Sequence, residues 1–211
     1  MAGSFTDYAA KAILGHVVGK AAFAMPTAYV ALFTAAPSDG AAGTEMSGSG
    51  YARKVTAAAD WNAASGSDPS AISNANALAF AQATANWSAI TAFALMDAAT
   101  AGNMLVWGYL GAFSELAFTA ATSGTFTSPG HGFSPGDSVV LASEYSGTAL
   151  PGGVAINTVY TVATAATDTF TLTGVTVSAS GGGTVRKVAT LTINNGDTPQ
   201  INVGALSIKL A

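Results

Sequence analysis

No cysteine occurs among the 211 residues, which excludes disulfides, thiolate metal sites and thiol catalysis. Charge is scarce as well. Seven basic and eleven acidic side chains leave a surface built from Ser, Thr, Asn, Gly and backbone. Such a surface suits burial against other protein, because few unpaired charges are stranded; on composition alone, an acidic protein from a composition-biased genome fits equally. No basic stretch exceeds the pairs Arg53-Lys54 and Arg186-Lys187, and net charge is −4. The chain therefore lacks the phosphate-neutralising face that nucleic acid requires, and no nucleic-acid partner is expected. The opening Met1-Ala-Gly-Ser-Phe-Thr-Asp7 has no basic region ahead of a long apolar stretch, so a secretory signal is not expected. The apolar run Leu95 to Leu110 is interrupted by Asp97, Gly102 and Asn103 and is too short to span a bilayer, so no membrane partner is expected.

What is present is apolar but small. Hydrophobic residues make up half of the chain, and alanine supplies 46 of them, so less area is available for burial than the fraction suggests. Residues 5–19 carry Phe5, Ala9, Ala12, Ile13 and Val17 at helical spacing, which predicts a helix with an apolar stripe. Ser4 is the expected cap, with Asp7 at the third helical position, and Gly19 and Pro26 mark the exit. Tyr8, Lys11 and Lys20 face solvent in this reading. The period then changes to two. Thr27–Thr34 has apolar residues on both faces, as expected of a central strand or one covered by the helix. Residues 35–50 read as a surface loop. Strands follow at 51–58, near Trp61, at 74–82 and at 89–97. The turn Ala98–Asn103 returns the chain into Met104–Leu110, the clearest hairpin in the sequence, with Trp107 and Tyr109 on one side as aromatic core.

Near residue 115 the composition shifts, with threonine, serine and glycine rising as alanine thins. Phe118–Thr127, Ser138–Ala142, Tyr160–Ala163 and Thr169–Leu172 read as short strands, and a glycine loop, Gly181-Gly-Gly183, leads to Thr184–Lys187. This is the pattern of a small barrel. Ala189–Ile193, the turn Asn194–Pro199, Gln200–Val203 and Leu206–Leu210 are closer in character to the N-terminal half than to the middle of the chain, the last with Leu206, Ile208 and Leu210 on one face. The expected fold is mainly β: a helix-led antiparallel sandwich or barrel domain made of residues 1–116 and 188–211, interrupted by a small β-barrel module at 117–187.

Chemistry does not rise above background. His16 sits in the helix, and His131 lies in a Pro-Gly-His-Gly stretch that reads as a flexible exposed loop; a zinc site needs three or four good ligands. The acidic residues Asp60, Asp68, Asp97, Glu115, Asp137, Glu144, Asp168 and Asp197 stand singly, half of them in turns where Asp caps backbone amides. Gly43–Gly50 has no lysine and no following helix, so it is no phosphate cradle, and Gly48-Ser-Gly50 is no nucleophile elbow. No catalytic, metal or cofactor-binding residue is expected, and no enzyme. Phe133, Tyr145 and Tyr160, near the tips of 128–137 and 144–160, are the candidates for surface recognition of a host glycan; core or turn packing is the competing reading of each.

Several stretches resemble a known group. Tyr8-Ala-Ala-Lys-Ala-Ile-Leu-Gly-His-Val-Val-Gly19, Ala22-Phe-Ala-Met-Pro26, Tyr29–Pro37, Gly50-Tyr-Ala-Arg53, Ala85-Asn-Trp87, Phe93–Leu105, Trp107-Gly and the Asn195-Gly-Asp197 turn look like small tailed-bacteriophage structural proteins commonly labelled tail fibre proteins. The resemblance covers about 1–115 and 188–211. Thr125–Val139, Val159–Val162 and Thr167–Leu172 resemble a second recurrent phage module. Roughly seventy residues intervene where the base family turns soon to its closing strands, in keeping with an insertion. The resemblance implies a virion structural protein, a compact subunit fixed to the capsid shell as a decoration protein or to the tail. Its partners would be further copies of itself and other virion proteins. The alternative it leaves open is a receptor- or glycan-binding module of a tail fibre or tip.

Overall fold

The computed structural model describes residues 3–24, 26–38, 41–66, 69–111, 114–142, 149–156 and 158–210. The fold is mainly antiparallel β with one α-helix, and the chain divides into two units: Gly3–Gly108 with Leu191–Ala211, and Tyr109–Thr190.

The first unit holds β1 (Gly3–Phe5), α1 (Asp7–Val17), β2 (Tyr29–Ala35), β3 (Thr44–Glu45), β4 (Lys54–Val55), β5 (Ser70–Ser73), β6 (Leu78–Ala79), β7 (Ala92–Met96) and β8 (Met104–Tyr109, whose last residue belongs to the second unit). Beyond the residues of the second unit it continues with β15 (Gln200–Ile201) and β16 (Ser207–Leu210). β2 is the central strand that its two apolar faces demand: Val30, Ala31, Leu32 and Phe33 are buried. β7 lies along one edge, from Tyr29 opposite Met96 to Phe33 opposite Ala92, and β3 and β4 share the other. β8 pairs with β7 and β1 closes the sheet beyond it, giving the order β1-β8-β7-β2-β3.

The N-terminal reading needs correction. Phe5 is not helical, because Gly3–Phe5 pairs with Gly108–Val106 as a strand. The helix runs over Asp7–Val17 rather than 5–19, and Thr6 rather than Ser4 is its cap, accepting from the Ala9 amide at 3.3 Å. Thr6 also ties the helix start to β8: its N–H donates to the Leu105 carbonyl at 3.0 Å and its hydroxyl to that of Met104. Only Ala9 of the helix is buried, so α1 does not roof the sheet.

The strands expected at 51–58 and 74–82 shrink to β4 and β6, two residues each. Asn74, fully buried, does part of their work. Its amide nitrogen donates to the Asn76 and Asn202 carbonyls at 2.8 Å each, and its oxygen accepts from the Leu206 amide at 2.9 Å. One side chain thus satisfies backbone groups that a ladder would otherwise pair. At 189–193 the pairing is a bridge between Leu191 and Ile90, whereas β15 pairs with β6 and β16 with β5.

The second unit is a closed barrel of β9 (Leu116–Ala120), β10 (Phe126–Thr127), β11 (Ser138–Ala142), β12 (Val159–Ala165), β13 (Thr169–Leu172) and β14 (Gly181–Lys187), in the order β10-β13-β12-β11-β14-β9. These strands run from Leu116 to Lys187, while the unit extends from Tyr109 to Thr190; local composition alone sets the module at 117–187. Alternation fills the interior: Phe118, Phe126, Val139, Leu141, Val162, Phe170, Leu172 and Val185 are buried together. Phe126 stacks on Phe170 with centroids 5.2 Å apart, a favoured aromatic geometry. Closure also removes the sheet edges on which such Thr-rich strands would aggregate. At the unit's base the incoming and outgoing segments lie side by side, the Ala189 amide donating to the Leu110 carbonyl at 3.0 Å. Arg186, 3% exposed, sets its guanidinium 5.0 Å from the Tyr109 ring centroid.

Gly181–Gly183 is not a loop but the first half of β14, paired with Ala120, Thr119 and Phe118. The reason is a crossing segment. A Cβ on Gly181 would lie 2.5 Å from the Ala149 carbonyl oxygen and 2.6 Å from the Pro151 nitrogen, both backbone atoms that cannot rotate away. Glycine is thus required by close approach of another chain segment. Gly181→Ala is expected to destabilise the protein by about 1–3 kcal/mol, read as a lower urea midpoint with unchanged slope.

Candidate functional site

The most elaborate polar cluster of the first unit is built on Arg53, in a chain that has few charges to place. Its Nε and Nη2 bind the two Glu45 oxygens at 2.8 and 2.7 Å, and its Nη1 donates to the carbonyls of Ala98 and Ala101 at 2.7 Å each. Tyr51 completes the group: its hydroxyl donates to Glu45 at 3.0 Å and accepts from the Leu32 amide at 3.0 Å. The guanidinium side chain is 8% exposed and the carboxylate 26%. Arg rather than Lys is needed here, since a planar fork serves a carboxylate and two carbonyls at once.

The electrostatics follow from this packing. Burial by itself would raise the Glu45 pKa, but hydrogen bonds from Arg53 and Tyr51 and the Arg53 charge outweigh it and hold it below its usual value. Burial pushes the Tyr51 hydroxyl well up, and Glu45 beside it adds to that.

Arg53 thereby pins the β7–β8 turn, which is itself closed by Asp97. The Asp97 carboxylate accepts from the Asn103 backbone amide at 2.6 Å and from its side-chain amide at 2.8 Å. Gly102 sits in the left-handed region at φ +75°, where a Cβ would collide with Asp97 and Ala98. Beside the turn is an open cleft of about 680 Å³ lined by Thr6, Asp7, Tyr8, Phe33, Arg53 and Asn103, among others. Four of the five guanidinium donors of Arg53 are engaged within the fold, so the cluster works as a clamp rather than as a receptor for an anion. Sequence reading passed over Glu45 and assigned Arg53 no role; the available signal was a glutamate and an arginine eight residues apart, flanking two-residue strands in a charge-poor chain.

Of the aromatics singled out from sequence, the two described ones, Phe133 and Tyr160, both pack against the barrel core. Phe133 is 9% exposed and packs into the barrel core, its ring 5.3 Å from Phe170 and 4.7 Å from His131; of its two readings, core packing holds and surface recognition does not. Tyr160 is half-buried against the same core, and its hydroxyl accepts from the Ala155 amide at 2.8 Å. Tyr145 lies outside the described residues, as do Asp68 and Glu144.

His131 is not in an exposed loop either. It is 7% exposed; Nδ1 accepts from the Phe133 amide at 2.9 Å and Nε2 lies 3.2 Å from the Thr169 carbonyl. The glycines beside it let the segment fold back so that the ring joins the aromatic core. His16 is exposed, its Nδ1 accepting from the Phe23 amide at 3.2 Å. The carboxylates are engaged at turns: Asp60 accepts from the Ala57 amide, Asp137 from Ser134, Asp168 from Gly130 and Asp197 from Asn194, each within 2.9 Å. Asp137 also pairs with Lys187 at 2.7 Å; burial works to raise its pKa, and Lys187 and the Ser134 amide bring it below the usual range. Among the described residues no group of three or more His, Asp or Glu could hold a metal ion. No described helix is long and apolar enough to cross a membrane.

The comparison with protein families decides the lineage. Residues 4–122 match the family described as podophage GP4 fiber I protein gp80. The chain belongs to that family. It is a phage fibre-type structural protein and, as such, a virion component. The family match takes in the six-stranded sheet from Ser4 of β1 onward, with the Arg53 clamp and the β7–β8 hairpin, and ends just past β9. No curated protein matches the chain.

Two outcomes are expected from the clamp. Arg53→Ala should cost about 3 kcal/mol, because Glu45 loses its partner and two turn carbonyls lose their donors, and Arg53→Lys should recover only part of this in urea unfolding. The folded pKa of Glu45 lies below its unfolded value near 4.5. Its contribution is therefore complete above that value and is lost as pH falls through the folded pKa. In Glu45→Gln, the fall of stability below about pH 4.5 should be shallower than in the unaltered protein, as measured by thermal unfolding across pH 2–6.

Proposed function

We propose that this chain is a compact, non-enzymatic subunit of the phage particle, fixed to the shell or tail by protein–protein contacts and carrying the barrel as an added module. The observation that carries this reading is the family match, which reaches all six strands of the first sheet. The side chains support it. Arg53, Glu45, Asp97, Asp137 and Asp197 are all occupied in holding turns and strands, as in a part whose task is to keep shape. A surface with few charges can be covered by neighbours in an assembly without stranding them, and many copies can share the attachment so that no single contact need be tight.

The alternative, recognition of a host glycan through Phe133, Tyr145 and Tyr160, draws nothing from Phe133, which is sealed in the barrel core, and little from Tyr160, whose hydroxyl is engaged.

Quantitative mass spectrometry of purified particles, with labelling of the protein for electron microscopy, tests the proposal. The protein is expected in the particle in a fixed ratio to the major capsid protein, on the shell or tail. Mature, infectious particles that lack it would sink the reading.

A further inference from the structure

We propose that Asn195 is a site of spontaneous, non-enzymatic deamidation that the fold holds in check. Its side chain converts only in chains whose closing turn has come away from residues 80–87. Asn195-Gly196 is the single Asn-Gly pair in the chain, in a turn that neither the clamp nor the barrel uses. Chemistry singles out this pair. An asparagine side chain is lost when the main-chain nitrogen of the next residue attacks its carbonyl carbon, and glycine, having no Cβ, hinders that approach least. The step balances with water alone. The Gly196 nitrogen gives its proton to solvent and bonds to Asn195 Cγ, and the side-chain nitrogen leaves as ammonia. Water then opens the cyclic imide at one carbonyl or the other, giving aspartate or isoaspartate, and nothing is oxidised or reduced.

Exposure favours the reaction. Residues 194–198 are all exposed, so hydroxide and water reach the pair. What holds it back is that the attacking atom is occupied. The Gly196 N–H donates to the Ala83 carbonyl at 2.8 Å, which holds the proton that a base must remove and fixes a peptide plane that must rotate. The residues around it are tied down as well. The Asn195 N–H donates to Asn86 Oδ1 at 2.9 Å, and the Gly196 carbonyl accepts from Gln82 Nε2 at 2.8 Å. The Ala83 N–H donates to the Asp197 carbonyl at 2.8 Å, and the Phe80 and Trp87 amides extend the seam to the carbonyls of Pro199 and Ile193. A seam of this kind opens as a cooperative stretch, and only then is the Gly196 nitrogen free to attack. Isoaspartate carries an extra methylene in the main chain. A converted turn therefore no longer presents its two amides to Asn86 and Ala83 at their present spacing, and the opening becomes one-way.

This goes beyond the proposed function and does not lean on it, because it is tested on the purified full-length chain without the particle. The folded protein and the same protein in guanidinium chloride are held in mildly alkaline buffer. The tryptic peptide Val188–Lys209 is then followed by mass spectrometry, with the converted residue located by fragmentation. Conversion at Asn195 is expected to be at least about tenfold slower in the folded chain than in the unfolded one. Gln82→Ala and Asn86→Ala, both at exposed positions, should each speed it in the folded chain by about twofold or more and leave the unfolded rate unchanged. If a variant does not fold, as read by circular dichroism, the folded-against-unfolded comparison of the unaltered chain decides. Equal rates in the folded and unfolded chain, conversion led by Asn194 or Asn202 of the same peptide, or folded variants no faster than the unaltered protein would overturn the proposal.

Discussion

The first unit hangs on one guanidinium. Its sheet is assembled from strands of two to seven residues, and ladders that short do not hold a long hairpin turn and a two-residue edge strand in place. Arg53 supplies what pairing does not. It ties Glu45 on β3, eight residues away, to the carbonyls of Ala98 and Ala101 in the β7–β8 turn, more than forty residues away. With it in place, Tyr51 can serve Glu45 and the Leu32 amide together. Its ring then closes over the aromatic floor made by Phe80 and Trp87, lying 5.4 Å from Trp87 edge to face. In a protein with so few charges, a paired and almost dry one fixes which segments meet.

How much of this was legible in the sequence depends on whether neighbours in the chain or neighbours in space set the conformation. β2 and the β7–β8 hairpin could be read because local pattern and tertiary role agree: apolar on both faces for a central strand, a polar glycine-containing turn between two apolar runs. The barrel strands could be read for the same reason. The start of α1 could not, since Phe5 has helical spacing but is claimed by β8, about a hundred residues away. Gly181–Gly183 has the composition of a loop and becomes strand because another segment crosses it. His131 and Phe133 sit among glycines and prolines, a context that predicts exposure, and are buried because the loop folds back onto Phe170. Nothing in the spacing of Glu45 and Arg53 announces that the β7–β8 turn will arrive to complete the clamp.

The two units use their polar side chains alike. In each, a carboxylate is seated on backbone amides at a turn, Asp97 and Asp197 in one, Asp137 and Asp168 in the other. Amides at tight turns have no ladder partner and would otherwise rely on water. Turns capped in this way survive being covered by a neighbour, which a solvent-dependent turn would not. The Asn74 side chain serves the same end within the loops around the C-terminal strands.

The side-by-side segments at Leu110 and Ala189 have a topological consequence. Everything between them is, topologically, a single detour whose two ends are already held one hydrogen bond apart. Closing a longer detour costs only logarithmically more, and one that folds on its own core adds little further demand on the chain that hosts it. A change in the length of the chain between these two residues can therefore be absorbed without altering the register of the strands on either side.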